Sequence, residues 1–122
     1  MNTTKIKWFD KPQKHDYSAA QAYLSLTMEV QEAKAIAAEL KKSKMTSFLA
    51  QDIFRSSGLS LLGVSNGDVE RVRAQIIRNE EISPLLLYRD KSNRKLVIAD
   101  GYHRLCAVYG FDEEAVISCK IV

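Results

Sequence analysis

One short segment gathers the side chains best suited to chemistry: Ile98-Ala99-Asp100-Gly101-Tyr102-His103-Arg104. An apolar strand ending in Asp-Gly and passing at once into a helix leaves the first helical N–H groups without intrahelical partners. A phosphate or carboxylate set there meets those donors and the positive end of the helix dipole. Gly101 lets the backbone turn with no side chain in the way. His103 adds a donor that switches near neutral pH, and Arg104 a rigid two-pronged cation. Basic residues in a first turn oppose the helix dipole, and a bound anion would offset that. The plainer alternative is architectural: Asp100 caps the helix, His103 bonds a local carbonyl, and Arg104 pairs with Asp112, Glu113 or Glu114. If a reaction follows binding, Asp100 and His103 are its acid/base pair, and phosphoryl transfer or nucleotide hydrolysis is the chemistry.

Other constellations carry less. His15, His103, Cys106 and Cys119 show no metal-ligand spacing, and no Walker-type glycine loop is present, so no metal site is expected. Cys106 stands one helical turn after His103, a spacing that can activate a thiolate, but its thiol should face the core. Ser60, Ser65 and Asn66 are candidates to line the same cleft, with Ser65 already explained as a helix cap. Arg71 and Arg73 could reach an anion from a neighbouring helix, and a solvated face accounts for them equally well. Trp8, Tyr17 and Tyr23 read as core or arm packing.

The elements that must hold this turn follow from periodicity. Trp8 and Phe9 tuck an N-terminal arm onto the body. Asp16 can cap a helix over about 17–26. Leu26, Val30, Ala33, Ala37 and Leu40 then form one apolar stripe, with Thr27 capping a second helix over about 28–42. Met45–Leu49 reads as a strand, Asp52–Arg55 as a brief helix ended by Gly58, and Leu59–Val64 as a buried connection. Ser65 caps the next helix, whose Val69, Val72, Ile76 and Ile77 face the core. Pro84 opens the strand Leu85–Tyr88, and a turn at Asp90–Asn93 returns the chain through Leu96–Ala99 as a hairpin. His103–Tyr109 is a short helix ended by Gly110, and Ala115–Val122 the closing strand. The fold class is α+β: a small mixed sheet flanked by helices, with residues 1–44 as N-terminal arm and helices and 45–122 as core of a single domain.

Composition bounds the function. The chain has 122 residues, 46% of them hydrophobic and 27% charged, which suits one soluble domain with a real core. No apolar stretch approaches the ~20 residues a membrane span needs. The first ten residues are too charged for a signal peptide, and two cysteines without one read as reduced thiols, so a cytoplasmic location is expected. Net charge is +3. Residues 1–45 carry eight lysines against five acids, the rest is balanced, and the arginines all fall in that balanced part. Scattered lysines suggest a solvated face, whereas arginines suit planar anion contacts. So weak an excess disfavours nucleic acid as partner.

Ile82–Tyr88, the hairpin, Leu96–Ala107 and Ile117–Val122 resemble the core of the ParB/sulfiredoxin superfamily. The resemblance spans roughly residues 65–122. With Ser57-Gly58-Leu59 and Leu62–Asn66 included, the longer stretch is similar to small stand-alone bacterial ParB-like proteins. In ParB proteins the equivalent turn reads Gly-Glu-Arg-Arg and cradles nucleotide phosphates in a CTP switch. In sulfiredoxins it reads Gly-Cys-His-Arg and serves ATP-dependent reduction of a sulfinic acid. Gly101, His103 and Arg104 match the second, Gly101 and Arg104 the first. Tyr102 replaces the catalytic cysteine, and a phenol cannot form the thiosulfinate, so sulfinic acid reduction is not expected. The chain has no room for ParB's helix-turn-helix or dimerisation domains. The resemblance therefore implies a nucleotide- or phosphate-binding module, with phosphates at Gly101–Arg104, Tyr102 covering a base or ribose, and ATP or CTP with Mg²⁺ as candidate ligands. An enzyme acting through Asp100 and His103 is the alternative, a ParB-like DNA-binding or nuclease domain a further one. A homodimer is left open.

Overall fold

A computed structural model describes residues 5–63 and 65–122. In chain order these form β1 (Lys7–Trp8), α1 (Lys14–Leu24), α2 (Val30–Lys42), β2 (Thr46–Leu49), α3 (Ala50–Ser57), α4 (Gly67–Ile77), β3 (Glu81–Ile82), β4 (Leu85–Asp90), β5 (Lys95–Asp100), α5 (Tyr102–Phe111) and β6 (Val116–Ile121). The class is mixed α and β, as the sequence implies.

Pro84 cannot donate to a ladder, so the strand starts only after it. β4 then runs apolar without alternation because both of its faces are covered. Leu85 and Leu87 join Ile98, Ile117 and Cys119 beneath α3, α4 and α5, while Leu86 and Ala99 face Tyr17, Leu24, Ile36 and Leu40 of α1 and α2. The main sheet has the order β2-β6-β4-β5. β4 and β5 are the expected hairpin, β2 pairs antiparallel with β6, and β4 pairs parallel with β6. A parallel neighbour needs a crossover, and α5 supplies it. β6 is thus an inner strand and not the closing edge that its terminal place suggests. Its Lys120 is buried beneath α2, donating to the Lys41 carbonyl at 3.0 Å with the Tyr17 ring 5.5 Å away.

The N-terminal arm is a strand in its own right. β1 pairs parallel with β3, Lys7 opposite Glu81 and Trp8 opposite Ile82, and Phe9 N–H donates to the Ile82 carbonyl at 2.9 Å. Trp8 packs against the core.

Several boundaries move for local reasons. Asp16 lies at the third position of α1, not at its cap. Its Oδ2 accepts from Gln13 N–H at 2.8 Å, the back-reaching half of a capping box. α2 starts after Glu29, and Thr27 instead closes the end of α1. Leu26 and Val30 are 78% and 60% exposed, so the apolar stripe begins at Ala33. Leu59 and Leu61 are exposed rather than a buried connection, and Val64 lies outside the described residues. Ile77 is exposed as well, one position beyond the buried face of α4. α5 continues through Gly110 to Phe111. Gly58 does end α3, in the left-handed conformation at φ 69°.

α4 is capped by Asn66, whose Oδ1 accepts from Asp68 N–H at 3.0 Å and Val69 N–H at 3.1 Å; Ser65 is not the cap. Asn66→Ala should therefore lower stability by about 1 kcal/mol. Ser65→Ala should leave the urea midpoint unchanged, and the reverse pattern would return the cap to Ser65.

Candidate functional site

The junction between β5 and α5 is built by a bulge and a glycine. Leu86 pairs with Asp100 but Leu87 with Ile98, so Ala99 is an extra residue that re-aims Asp100. Gly101 then turns the chain at φ 107°. A Cβ there would lie 2.7 Å from Leu85 Cγ and 3.0 Å from Arg104 Nη2. Glycine is required twice, for the backbone angle and for what packs over it.

Arg104, one helical turn on, folds back over this corner. Its Nη2 donates to Asp100 Oδ2 at 2.8 Å and approaches the Pro84 carbonyl at 3.5 Å. Its Nε is fully buried and meets no acceptor among the described residues. Behind the pair stands Asp16 of α1, only 2% exposed, whose charge acts on Asp100. Asp16 also takes Gln13 N–H on one oxygen and has His15 Nε2 at 3.4 Å from the other. The guanidinium is paired with Asp100 alone, and Asp16 has His15 beside it. Burial pushes the Asp100 carboxyl above its usual range, Asp16 adds to that, and Arg104 opposes it.

The other residues of the segment turn elsewhere. Tyr102 donates its hydroxyl to the Ser60 carbonyl, and its ring packs against the core. His103 Nε2 lies 3.7 Å from Asp68 Oδ2, whose other oxygen is 3.1 Å from Arg71 Nη1. Asp100 and His103 are therefore engaged by different elements and do not meet as an acid/base pair. The architectural alternative is also revised, since Gly101 occupies the cap position and the partner of Arg104 is Asp100. Cys106 is buried, and burial raises its thiol pKa, so His103 does not make it a thiolate. Burial pushes Cys119 up to about 12. Among the described residues no three His, Cys, Asp or Glu side chains converge as metal ligands, and no helix is long and apolar enough to cross a membrane.

Arg104 opens onto a cleft of about 1170 Å³ between β1, β3 and α4. Lys5, Lys7 and Arg71 bring further positive charge to its wall, Trp8 an indole face, and Gln13, Gln75 and Asn79 side-chain amides. Ser83 holds Gln13 by donating to Oε1 at 2.8 Å. Of the acids present, Glu80 is tied to Arg78, which leaves Glu81. Arg73 does not join, because it lies over the Phe111 ring and pairs with Glu70 at 3.4 Å. Composition alone pointed to none of Lys5, Lys7, Gln13 or Ser83: the lysines read as a solvated face, and the Gln13–Ser83 bond spans 70 positions. Asp16 read only as a cap. Compared with protein-family models, curated proteins and solved structures, the chain matches none.

Gly101→Ala should destabilise the fold by about 3 kcal/mol, from left-handed strain and the close contact with Leu85, measured by urea unfolding. A change below about 1 kcal/mol would show that the corner relaxes freely. The pH dependence has a definite sign. A carboxyl whose folded pKa is raised stabilises the fold fully below its ordinary value, 3.8, and that contribution is lost as pH rises through the raised value. Asp100→Asn cannot titrate, so between pH 4 and 7 its stability should fall less, or rise more, than that of the wild type. Parallel curves would remove Asp100 as the responsible group.

Proposed function

We propose that the chain binds a phosphate-bearing small molecule, with a nucleotide as the leading candidate and its phosphates against Arg104 in the cleft. The observation that carries this reading is the state of Arg104. Its guanidinium is held in place by Asp100 at the wall of the cleft and is one-fifth exposed, so its outer edge can donate to an oxyanion while the buried Nε stays inside. Arg71, Lys5 and Lys7 face the same space and suit the remaining phosphate charge. Trp8 offers a stacking face for a base, and the amides of Gln13, Gln75 and Asn79 offer donors and acceptors. The phosphate position lies on the Arg104 side of the Gly101 turn, because Arg104 covers the corner itself.

The proposal is one of binding and not of turnover, since Asp100 and His103 are committed to separate partners. Kinship with the ParB/sulfiredoxin superfamily is part of the same proposal. It is supported by the parallel β4–β6 pair, the α5 crossover and the glycine corner followed by His103 and Arg104.

Trp8 is the chain's single tryptophan, so its fluorescence reports on this cleft. Calorimetry and fluorescence with ATP, CTP and inorganic phosphate, with and without Mg²⁺, should show a nucleotide that binds and quenches Trp8, and phosphate that binds more weakly without quenching. Arg71→Ala should weaken nucleotide binding about tenfold, the loss of one charge-assisted hydrogen bond, and Arg104→Gln should weaken it further. Absence of binding at millimolar nucleotide, or affinity indifferent to both substitutions, would overturn the reading.

A further inference from the structure

The sheet face beneath α3 is fully covered at Ile98, Ile117 and Cys119. Two residues further along their strands, Leu96 and Ile121 on the same face are only half-buried, and Phe48 on β2 is 39% exposed. α3 begins directly after β2 and does not reach this end of the sheet. It leaves a groove of about 550 Å³ floored by Phe48, Ile53, Leu96 and Ile121. No residue lining it also lines the Arg104 cleft.

The rim of this groove is cationic. Arg89, Lys91, Arg94 and Lys95 surround it, and among the described residues none has a carboxylate within 4.0 Å. Of the two acids there, Asp90 is occupied by the hairpin turn, accepting from Asn93 Nδ2 at 2.8 Å and Asn93 N–H at 3.2 Å. Asp52 sits in the first turn of α3, where the helix dipole accommodates it. Lys95 stands opposite Asp90 across the hairpin and interacts with its charge. An apolar floor, three cations with no carboxylate beside them and a volume in the range of small-molecule pockets call for one kind of occupant. We infer that this groove is a second binding site, for a small amphiphilic anion: an apolar chain on the Phe48–Leu96–Ile121 floor and a phosphate or carboxylate head among Arg89, Lys91 and Arg94. Charge complementarity fixes the head and the uncovered sheet face the tail. The inference does not depend on the nucleotide reading.

Octyl phosphate, kept below its micelle concentration, is the probe, with octanol and inorganic phosphate as tail-only and head-only arms, titrated into the full chain by calorimetry. Octyl phosphate should bind one to one and at least about tenfold more tightly than either arm, and octanoate should bind in the same way. The double variant Arg89→Gln/Arg94→Gln, at exposed positions, should weaken it about tenfold or more, as should Phe48→Thr, while Arg71→Ala leaves it unchanged. Equal affinity for octanol would overturn the inference by removing the head group from recognition. Loss on Arg71→Ala would overturn it by moving the ligand to the other cleft. A single-stranded oligonucleotide that binds through Arg89 and Arg94 while octyl phosphate does not would overturn it in favour of a nucleic-acid contact.

Discussion

The fold turns on the ion pair between Arg104 and Asp100, 2.8 Å apart over a residue with no side chain. Four elements converge there. β5 delivers Asp100 through a bulge, α5 returns Arg104, the start of β4 brings Leu85 and the Pro84 carbonyl, and α1 adds the buried Asp16. A Cβ at position 101 would meet two of these contributions at once. The pair also links the two apolar layers, because Asp16 belongs to the helices on one face of the sheet while α5 packs on the other. Removing the guanidinium would leave the half-buried Asp100 carboxylate without its cation, which is strongly unfavourable.

Hydrogen bonds also tie α1 to the arm. Asp16 accepts from Gln13, Gln13 accepts from Ser83, and Ser83 follows the strand with which β1 pairs. A chain of hydrogen bonds thus runs from the buried carboxylates to the arm carrying Lys5, Lys7 and Trp8. The lysine excess of the first 45 residues is in part a wall of the cleft that Arg104 opens onto. Sequence counting sees the charge but not the wall.

What could be read from sequence had local causes. Pro84, the apolar run after it and the Asp90–Asn93 turn define a hairpin within some fifteen residues. Gly58 ends a helix by its own backbone freedom, and the strand–Gly101–helix corner is visible because one residue type has to sit there. What could not be read depended on contacts distant in the chain. Asp16 looks like any acidic residue near a helix start until Asp100 stands beside it. Leu26 and Val30 complete an apolar stripe on paper, yet Leu26 falls in the turn between α1 and α2 and Val30 at the exposed start of α2. Tyr102, His103 and Arg104 look like one site because they are consecutive, but successive residues of a helix point about 100° apart. They reach Ser60, Asp68 and Asp100 respectively.

That divergence also limits what the corner can do. Arg104 donates to Asp100 alone, and the second buried carboxylate, Asp16, has His15 beside it. An anion that takes Arg104 must compete with Asp100, and it is helped by whatever lowers the charge on Asp100. Burial and Asp16 already favour the protonated carboxyl. The same desolvation that disfavours the Asp100 carboxylate thus weakens its hold on the guanidinium. A glutamine at position 104 would keep an amide donor for Asp100 but lose the charge, so the ion pair at the corner rests on one side chain.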